Sequence, residues 1–449
     1  MTLEEELRRS GRAVADSAAV CRMTASDLHR RRRRGRAIGG AALLSIVGII
    51  GAAIAYPGDR DRFQVDMVGE PQLPRIQVGN GPTRLLTAEG ESIGMLAASA
   101  PDPSEPVEVR VRDELLDDPI VAARLAEVGV VGDRDVRAAH LADAGLVVET
   151  TLRSDALAAA RDATVEFTPD HALSAVVALD PVSGEVVALS GPAATIERTA
   201  GSAYMPIVMT AALEAGVSMV ERIPAPPEAT VGGPQPWTVS NFSSEDYGML
   251  TMAESLAQSA NTPWAVLLDE GRLSLDDVTQ AAERLGVPVA PDDPVVPALV
   301  VGVAEMSPME MARAYATFAN SGRSVDVHAI RRVLHPEGQV IYDATTRPAA
   351  NEPQLDPAVA AHVRAAMETV VCCGTGTEAA LADGTPHFGK TGTTSRQSDA
   401  WFAGSTPGLT AVVWMGAPEP QATIPGLLGG GGVNGQQEFL AGGQEISSP

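Results

Sequence analysis

The chain has 449 residues, 45% of them hydrophobic, and a formal net charge of −24. That length allows two or three domains with at least one large core, and that charge disfavours polyanionic ligands, nucleic acid included. Three cysteines do not make a disulfide scaffold, and seven histidines without ligand spacing imply neither a metal nor a cofactor.

Arg30 to Arg34 and Arg36 form a basic block, followed by 20 uncharged residues at 37–56. A helix of that length spans a hydrocarbon core of roughly 30 Å. The basic flank predicts a cytoplasmic N-terminus, with everything after Tyr56 outside the cell. Ala53-Ile54-Ala55 has the small-x-small form of a cleavage site. The apolar run nevertheless exceeds the ~7–15 residues of a signal-peptide core, which favours an uncleaved anchor. The cytoplasmic stub 1–36 carries ten Arg and five acids, net +5, so the rest carries −24 − 5 = −29.

Residues 57–168 read as a juxtamembrane and linker region. The stretch 57–105 is rich in Pro, Gly and acids, with little helix. Helices are predicted near 113–127 and 133–144, then a strand at 146–151 and a helix to about 163. A hairpin follows, with strands 175–179 and 185–189 around Asp180-Pro181-Val182-Ser183-Gly184. An apolar helix is predicted at 203–215, ended by Gly216. Helices over 250–287 carry Ser259-Ala260-Asn261, and another covers 307–320. Strands near 326–342 and a helix near 356–371 lead to a strand with Lys390, and then to strands 399–403 and 409–415. A Gly-rich tail, 418–449, has the composition of a mobile segment. The order of elements predicts an α+β fold whose sheet takes its first and last strands from opposite ends of the domain.

One lysine occurs in the whole chain, Lys390, within Phe388-Gly389-Lys390-Thr391-Gly392-Thr393. A compact ammonium kept among so many arginines points to a binding or catalytic task, and no second lysine exists to act as a base. Two further clusters stand out: Ser202 at a helix start, and Ser259 with Asn261 between helices. Each is weak alone, since a serine before a helix is usually an N-cap. Together, in this order, they resemble the motif set of active-serine enzymes of the penicillin-recognising type.

The flanks agree. Gly201-Ser202-Ala203-Tyr204-Met205-Pro206, Leu256-Ala257-Gln258-Ser259-Ala260-Asn261-Thr262, the helix Ser307 to Asn320, and Gly389-Lys390-Thr391-Gly392-Thr393-Thr394 with Asp399-Ala400-Trp401-Phe402-Ala403-Gly404 resemble the transpeptidase domain of penicillin-binding proteins. The likeness is nearest to the bifunctional class A type and covers about 145–417. It implies a penicillin-binding/serine β-lactamase-like fold, a central antiparallel sheet with a helical subdomain, over 169–417. It also implies peptidoglycan stem peptides and β-lactams as ligands, and cell-wall synthesis or division proteins as partners. By the family pattern, Ser202 is the nucleophile, and its backbone N–H and that of Thr393 form the oxyanion hole. Ser259 relays protons and Asn261 bonds the substrate amide. Lys390, Thr391 and Thr393 hold the substrate carboxylate.

Two departures matter. Only 94 residues separate Tyr56 from Thr151, too few for the glycosyltransferase domain of the class A type, so glycan polymerisation is not expected. Met205 stands where the family has the general-base lysine, one helical turn from Ser202. A thioether is a feeble acceptor and no base, and losing a positioned base costs ~10²–10⁴ in rate. His387 lies three residues from Lys390, hence on the other face of a strand. Lys390 is the other substitute, if its site strips its proton. The chain is therefore a D,D-transpeptidase or carboxypeptidase impaired at Ser202, or an inactive scaffold, regulator or β-lactam sensor. Cys372 and Cys373 are expected to be small buried fillers, since adjacent residues close a disulfide poorly.

Overall fold

A computed structural model describes residues 73–422, apart from 78, 98–105, 169–170, 194, 288, 290–294, 348–350, 382–383, 395–396 and 421. The predicted stub 1–36, the predicted anchor 37–56 and nearly all of the predicted tail lie outside the described residues. Among the described residues no helix is long and apolar enough to cross a membrane.

The central sheet has five strands: β1 (Leu173–Leu179), β2 (Val186–Ser190), β3 (Phe388–Thr393), β4 (Asp399–Thr406) and β5 (Leu409–Gly416). Their order is β3-β4-β5-β1-β2, antiparallel throughout. The predicted hairpin is β1–β2, and its turn is held by Asp180, whose Oδ1 accepts from the N–H of Val182 (2.8 Å) and Ser183 (2.9 Å). Both faces are covered, so the strands read as continuous apolar runs rather than alternating ones. Val176, Ala178, Phe402 and Val413 face helix α1 (Ser154–Phe167), whose Ala156, Ala160 and Ala163 let it lie close. Val177, Leu179, Trp401, Ala403, Val412 and Trp414 join the larger core. That core includes α2 (Met205–Glu214), α3 (Met252–Ala257), α4 (Thr262–Asp269), α5 (Pro308–Ala319) and α6 (Pro357–Cys373).

Three features differ from the expected pattern. The helix expected at 113–127 is two, Pro106–Asp117 and Pro119–Glu127. Asp118 breaks it, since its carboxylate accepts from the N–H of Ile120 and Val121 while Pro119 occupies the first turn. The strands Ile330–Leu334 and Val340–Asp343 do not join the central sheet. They complete a second five-stranded sheet with Val147–Thr150, Arg84–Leu86 and Ser92–Met95, so the linker region and the transpeptidase region share a layer. Buried Glu114 fastens this junction by accepting from the N–H of Ala329 (2.7 Å) and Ile330 (3.1 Å).

The cysteines also depart from expectation. Cys372 is exposed, Cys373 is half-buried, and a disulfide joins them. They are not core fillers, because the buried stripe of α6 ends at Val371 and the last turn faces outward.

Gly302 tests the packing above the sheet. Its φ is +82°, and an added Cβ would lie 2.0 Å from the Gly201 carbonyl oxygen. Gly302→Ala is expected to lower stability by about 2 kcal/mol or more. Gly338→Ala, also at positive φ but with open space around it, should cost about 1 kcal/mol. Urea denaturation midpoints check the difference.

Candidate active site

Ser202 lies in a short 3-10 turn, Gly201–Tyr204, that runs directly into α2. Four hydrogen bonds fix this turn. Trp401 Nε1 donates to the Thr199 carbonyl (2.9 Å) and Tyr315 Oη to the Ala203 carbonyl (2.9 Å). The N–H of Ala200 and Gly201 donate to the carbonyls of Ala304 (3.1 Å) and Gly302 (2.9 Å).

The turn sits against β3 at van der Waals limits. Gly201 has φ +53°, and a Cβ there would meet Thr393 O at 2.7 Å. A Cβ on Gly392 would meet Ala200 O at 2.7 Å and Ala203 N at 3.0 Å. Only glycine at both positions lets the backbone of Ser202 approach that of Thr393. Ser202 is half-buried, and its hydroxyl makes no hydrogen bond among the described residues. Met205 is fully enclosed in the main core.

Ser259 occupies the turn between α3 and α4, with φ +55°. Its N–H donates to Leu256 O (3.1 Å) and that of Ala260 to Ser255 O (3.0 Å), the pattern of a Schellman C-cap. Glycine is the usual residue at that position, because a side chain there costs about 1–2 kcal/mol. The side chain that stands in its place is in contact with Lys390. Asn261 is set by its backbone N–H on Asn241 Oδ1 (2.9 Å) and by its amide on Ser240 O (2.9 Å).

Two residues not singled out from the sequence support these positions. Asn241 is buried; its Nδ2 donates to Pro226 O and Glu245 O, and its Oδ1 receives Asn261 and Thr262. It acts through the backbone of a distant turn, which leaves no local motif. Thr375 shares a hydrogen bond with Thr391 (Oγ1···Oγ1, 2.7 Å), and its N–H donates to Ala257 O (3.0 Å). Its segment, Gly374 to Thr377, is also similar to the family, which was the available signal.

Lys390 is 0% exposed. Its Nζ is 2.8 Å from Ser259 Oγ and 2.9 Å from the Thr391 carbonyl oxygen. It forms no ion pair among the described residues, and burial pushes its ammonium down to about 7 from an ordinary 10.5. Thr393 is half-buried at the open end of β3. Beyond it, Asp399 anchors the return into β4 by accepting from Ser398 Oγ (2.7 Å) and Trp414 Nε1 (3.1 Å). His387 lines a small apolar cavity with Phe402 and Leu409, whereas Lys390 pairs in register with Ala403 of the other face. No group of metal-ligating side chains occurs among the described residues.

A serine turn packed against an edge strand that carries Lys-Thr-Gly, with a serine-bearing turn closing on the lysine, defines the penicillin-recognising serine fold. The penicillin binding protein transpeptidase domain matches residues 174–423, and the chain belongs to that family. Penicillin-binding protein 1A of Mycobacterium tuberculosis is 31% identical over 280 residues, covering 56% of this chain and 33% of that protein. Penicillin-binding protein 1A of Neisseria meningitidis is 31% identical over 274 residues, covering 58% of this chain and 34% of that protein. The chain thus spans about a third of the length of these curated relatives. The PonA1 protein of Mycobacterium tuberculosis, solved in complex with penicillin V, superposes with a TM-score of 0.59 at 27% identity, covering 78% of this chain and 95% of that one.

A single lysine makes the buried amine directly observable. With lysine labelled in ¹³C and ¹⁵N, the full chain should give one side-chain signal, titrating near pH 7 rather than near 10.5. The unfolded chain holds this proton up to about 10.5, whereas the folded chain releases it near 7. The linked stability is therefore present above 10.5 and lost as the pH falls to 7, on the order of 5 kcal/mol. A Lys390→Met variant should lack this pH dependence in denaturant melts.

Proposed function

We propose that the chain is a membrane-anchored penicillin-binding protein of peptidoglycan synthesis that binds D-Ala-D-Ala stem peptides and β-lactams, with acylation at Ser202 slowed by Met205. The observation that carries this reading is the convergence of three segments: the Ser202 turn against Gly392–Thr393, and Ser259 on Lys390 at 2.8 Å. The penicillin V complex of PonA1 supports β-lactams as ligands for a site of this architecture.

In this reading Ser202 Oγ attacks the substrate carbonyl. The backbone N–H groups of Ser202 and Thr393 stabilise the oxyanion. Asn261 bonds the substrate amide, and Thr391 and Thr393 receive the carboxylate. The helix position that supplies the family's base holds a buried thioether. Residues 37–56 are proposed as the anchor, with residues 1–36 cytoplasmic and the transpeptidase domain outside the cell. The unbonded Ser202 hydroxyl also motivates a second reading, a non-catalytic scaffold, regulator or β-lactam sensor that keeps the binding site.

Labelling of the full chain with a fluorescent penicillin separates the two. Slow acylation predicts a weak covalent band, absent in Ser202→Ala and strengthened ~10²–10⁴-fold in rate by Met205→Lys. A band only in Met205→Lys supports the scaffold. No band in either, with no competition by unlabelled penicillin, rejects β-lactam binding.

A further inference from the structure

Resting on the slow-acylation reading, we propose that Lys390 is the general base for Ser202 in this protein, taking the proton through the Ser259 hydroxyl. The geometry comes first. Lys390 Nζ has two partners, the Thr391 carbonyl oxygen at 2.9 Å and Ser259 Oγ at 2.8 Å. A carbonyl can only accept, so one amine N–H is committed to it. A neutral amine then has its lone pair for the Ser259 O–H. Nothing in this enclosure requires a cation.

The surroundings agree. The titratable groups on elements packed around Lys390 are Tyr204 in the nucleophile turn, Glu254 on α3, His362, Arg364 and Glu368 on α6, His387 before β3, and Asp399 on β4. None forms an ion pair with Lys390. Glu254 caps its own helix through Thr251, Glu368 is drawn to Arg364 and His387, and Asp399 is bonded to Ser398 and Trp414. Burial keeps Tyr204 a neutral phenol. The amine is thus enclosed without a counter-charge among the described residues.

Ser259 is held with its side chain on the amine by a left-handed backbone that ordinarily belongs to glycine. That expense is understandable if the hydroxyl has a task. The proton balance closes without a further reagent. The Ser202 proton passes to Ser259 Oγ, as the Ser259 proton passes to Lys390 Nζ. Ser202 Oγ bonds to the carbonyl carbon of a β-lactam, the C–N bond breaks, and the ring nitrogen takes a proton back from the Lys390 ammonium through Ser259. Lys390 ends neutral, as it began.

The same residue as a carboxylate clamp must be a cation, and the two roles give opposite pH slopes. The second-order acylation rate constant reports the free protein's groups. A base near 7 predicts a rise of about thirtyfold between pH 5.5 and 8.5, level above that. A clamp predicts a fall over the same range.

The test is that constant for a chromogenic cephalosporin on the full chain, read alongside Lys390→Arg and Ser259→Ala. Arg keeps the charge but cannot act as a base. The expected result is a rising profile in the unaltered protein, and a loss of ~10²–10⁴ in rate with no rise in either variant. Ser259→Ala, which leaves the lysine in place, guards against a folding failure of the arginine variant. A falling profile, or a rising one unchanged in Ser259→Ala, overturns the proposal. No acylation at any pH also overturns it, and rescue by Met205→Lys would then leave the binding reading intact.

Discussion

The candidate site depends on one buried amine that has no counter-ion among the described residues. Lys390 is wholly enclosed, and an ammonium there without a carboxylate is costly to keep charged. The structure satisfies it with two neutral partners, a hydroxyl and a carbonyl. The carbonyl belongs to the next residue on β3, so that bond is local. The hydroxyl has to come from another segment, and this requirement orders the surroundings. Ser259 reaches the amine only because α3 ends in a left-handed cap, and α3 is started by a capping box at Thr251 and Glu254. The Thr375 N–H holds Ala257 while its hydroxyl holds Thr391, so one residue ties the serine turn to the strand.

The Ser202 side is governed by excluded volume. Gly201, Gly302 and Gly392 meet where any Cβ would overlap backbone, and their absence of side chains brings the Ser202 turn onto Thr393. The indole of Trp401 and the phenol of Tyr315 then hold the turn's carbonyls from the core side. Backbone N–H groups positioned in this way need no reorganisation to meet an oxyanion, which is why such contacts contribute strongly when they act.

Much of this was legible in the chain. The β1–β2 hairpin, the apolar α2, the strand with Lys390 and the two strands after it follow from period, turn residues and breakers. The motif order places Ser202, Ser259 and Lys390 together before any coordinate is known. What local patterns could not show is long-range pairing. Ile330–Leu334 looks like any strand, and nothing in it says that its neighbour is Val147–Thr150, some 180 residues earlier, rather than the central sheet. The ribbons Arg222–Ala225 with Gly248–Thr251, and Glu228–Val231 with Trp237–Ser240, are four-residue strands among Pro and Gly, too short for a periodic signal. Asn241 hides for the same reason, since its partners are backbone groups brought near by those ribbons. Cys372 and Cys373 were misjudged because composition favours burying cysteine, whereas their place on the outward last turn of α6 is a matter of helix phase.

Met205 can be weighed in the same terms. A lysine there would put an ammonium into the enclosed core position that Met205 now fills. With methionine, α2 is apolar on its enclosed face, which removes a desolvation cost. The amine that the described residues do supply is that of Lys390, whose proton affinity burial lowers and which contacts Ser259 at 2.8 Å.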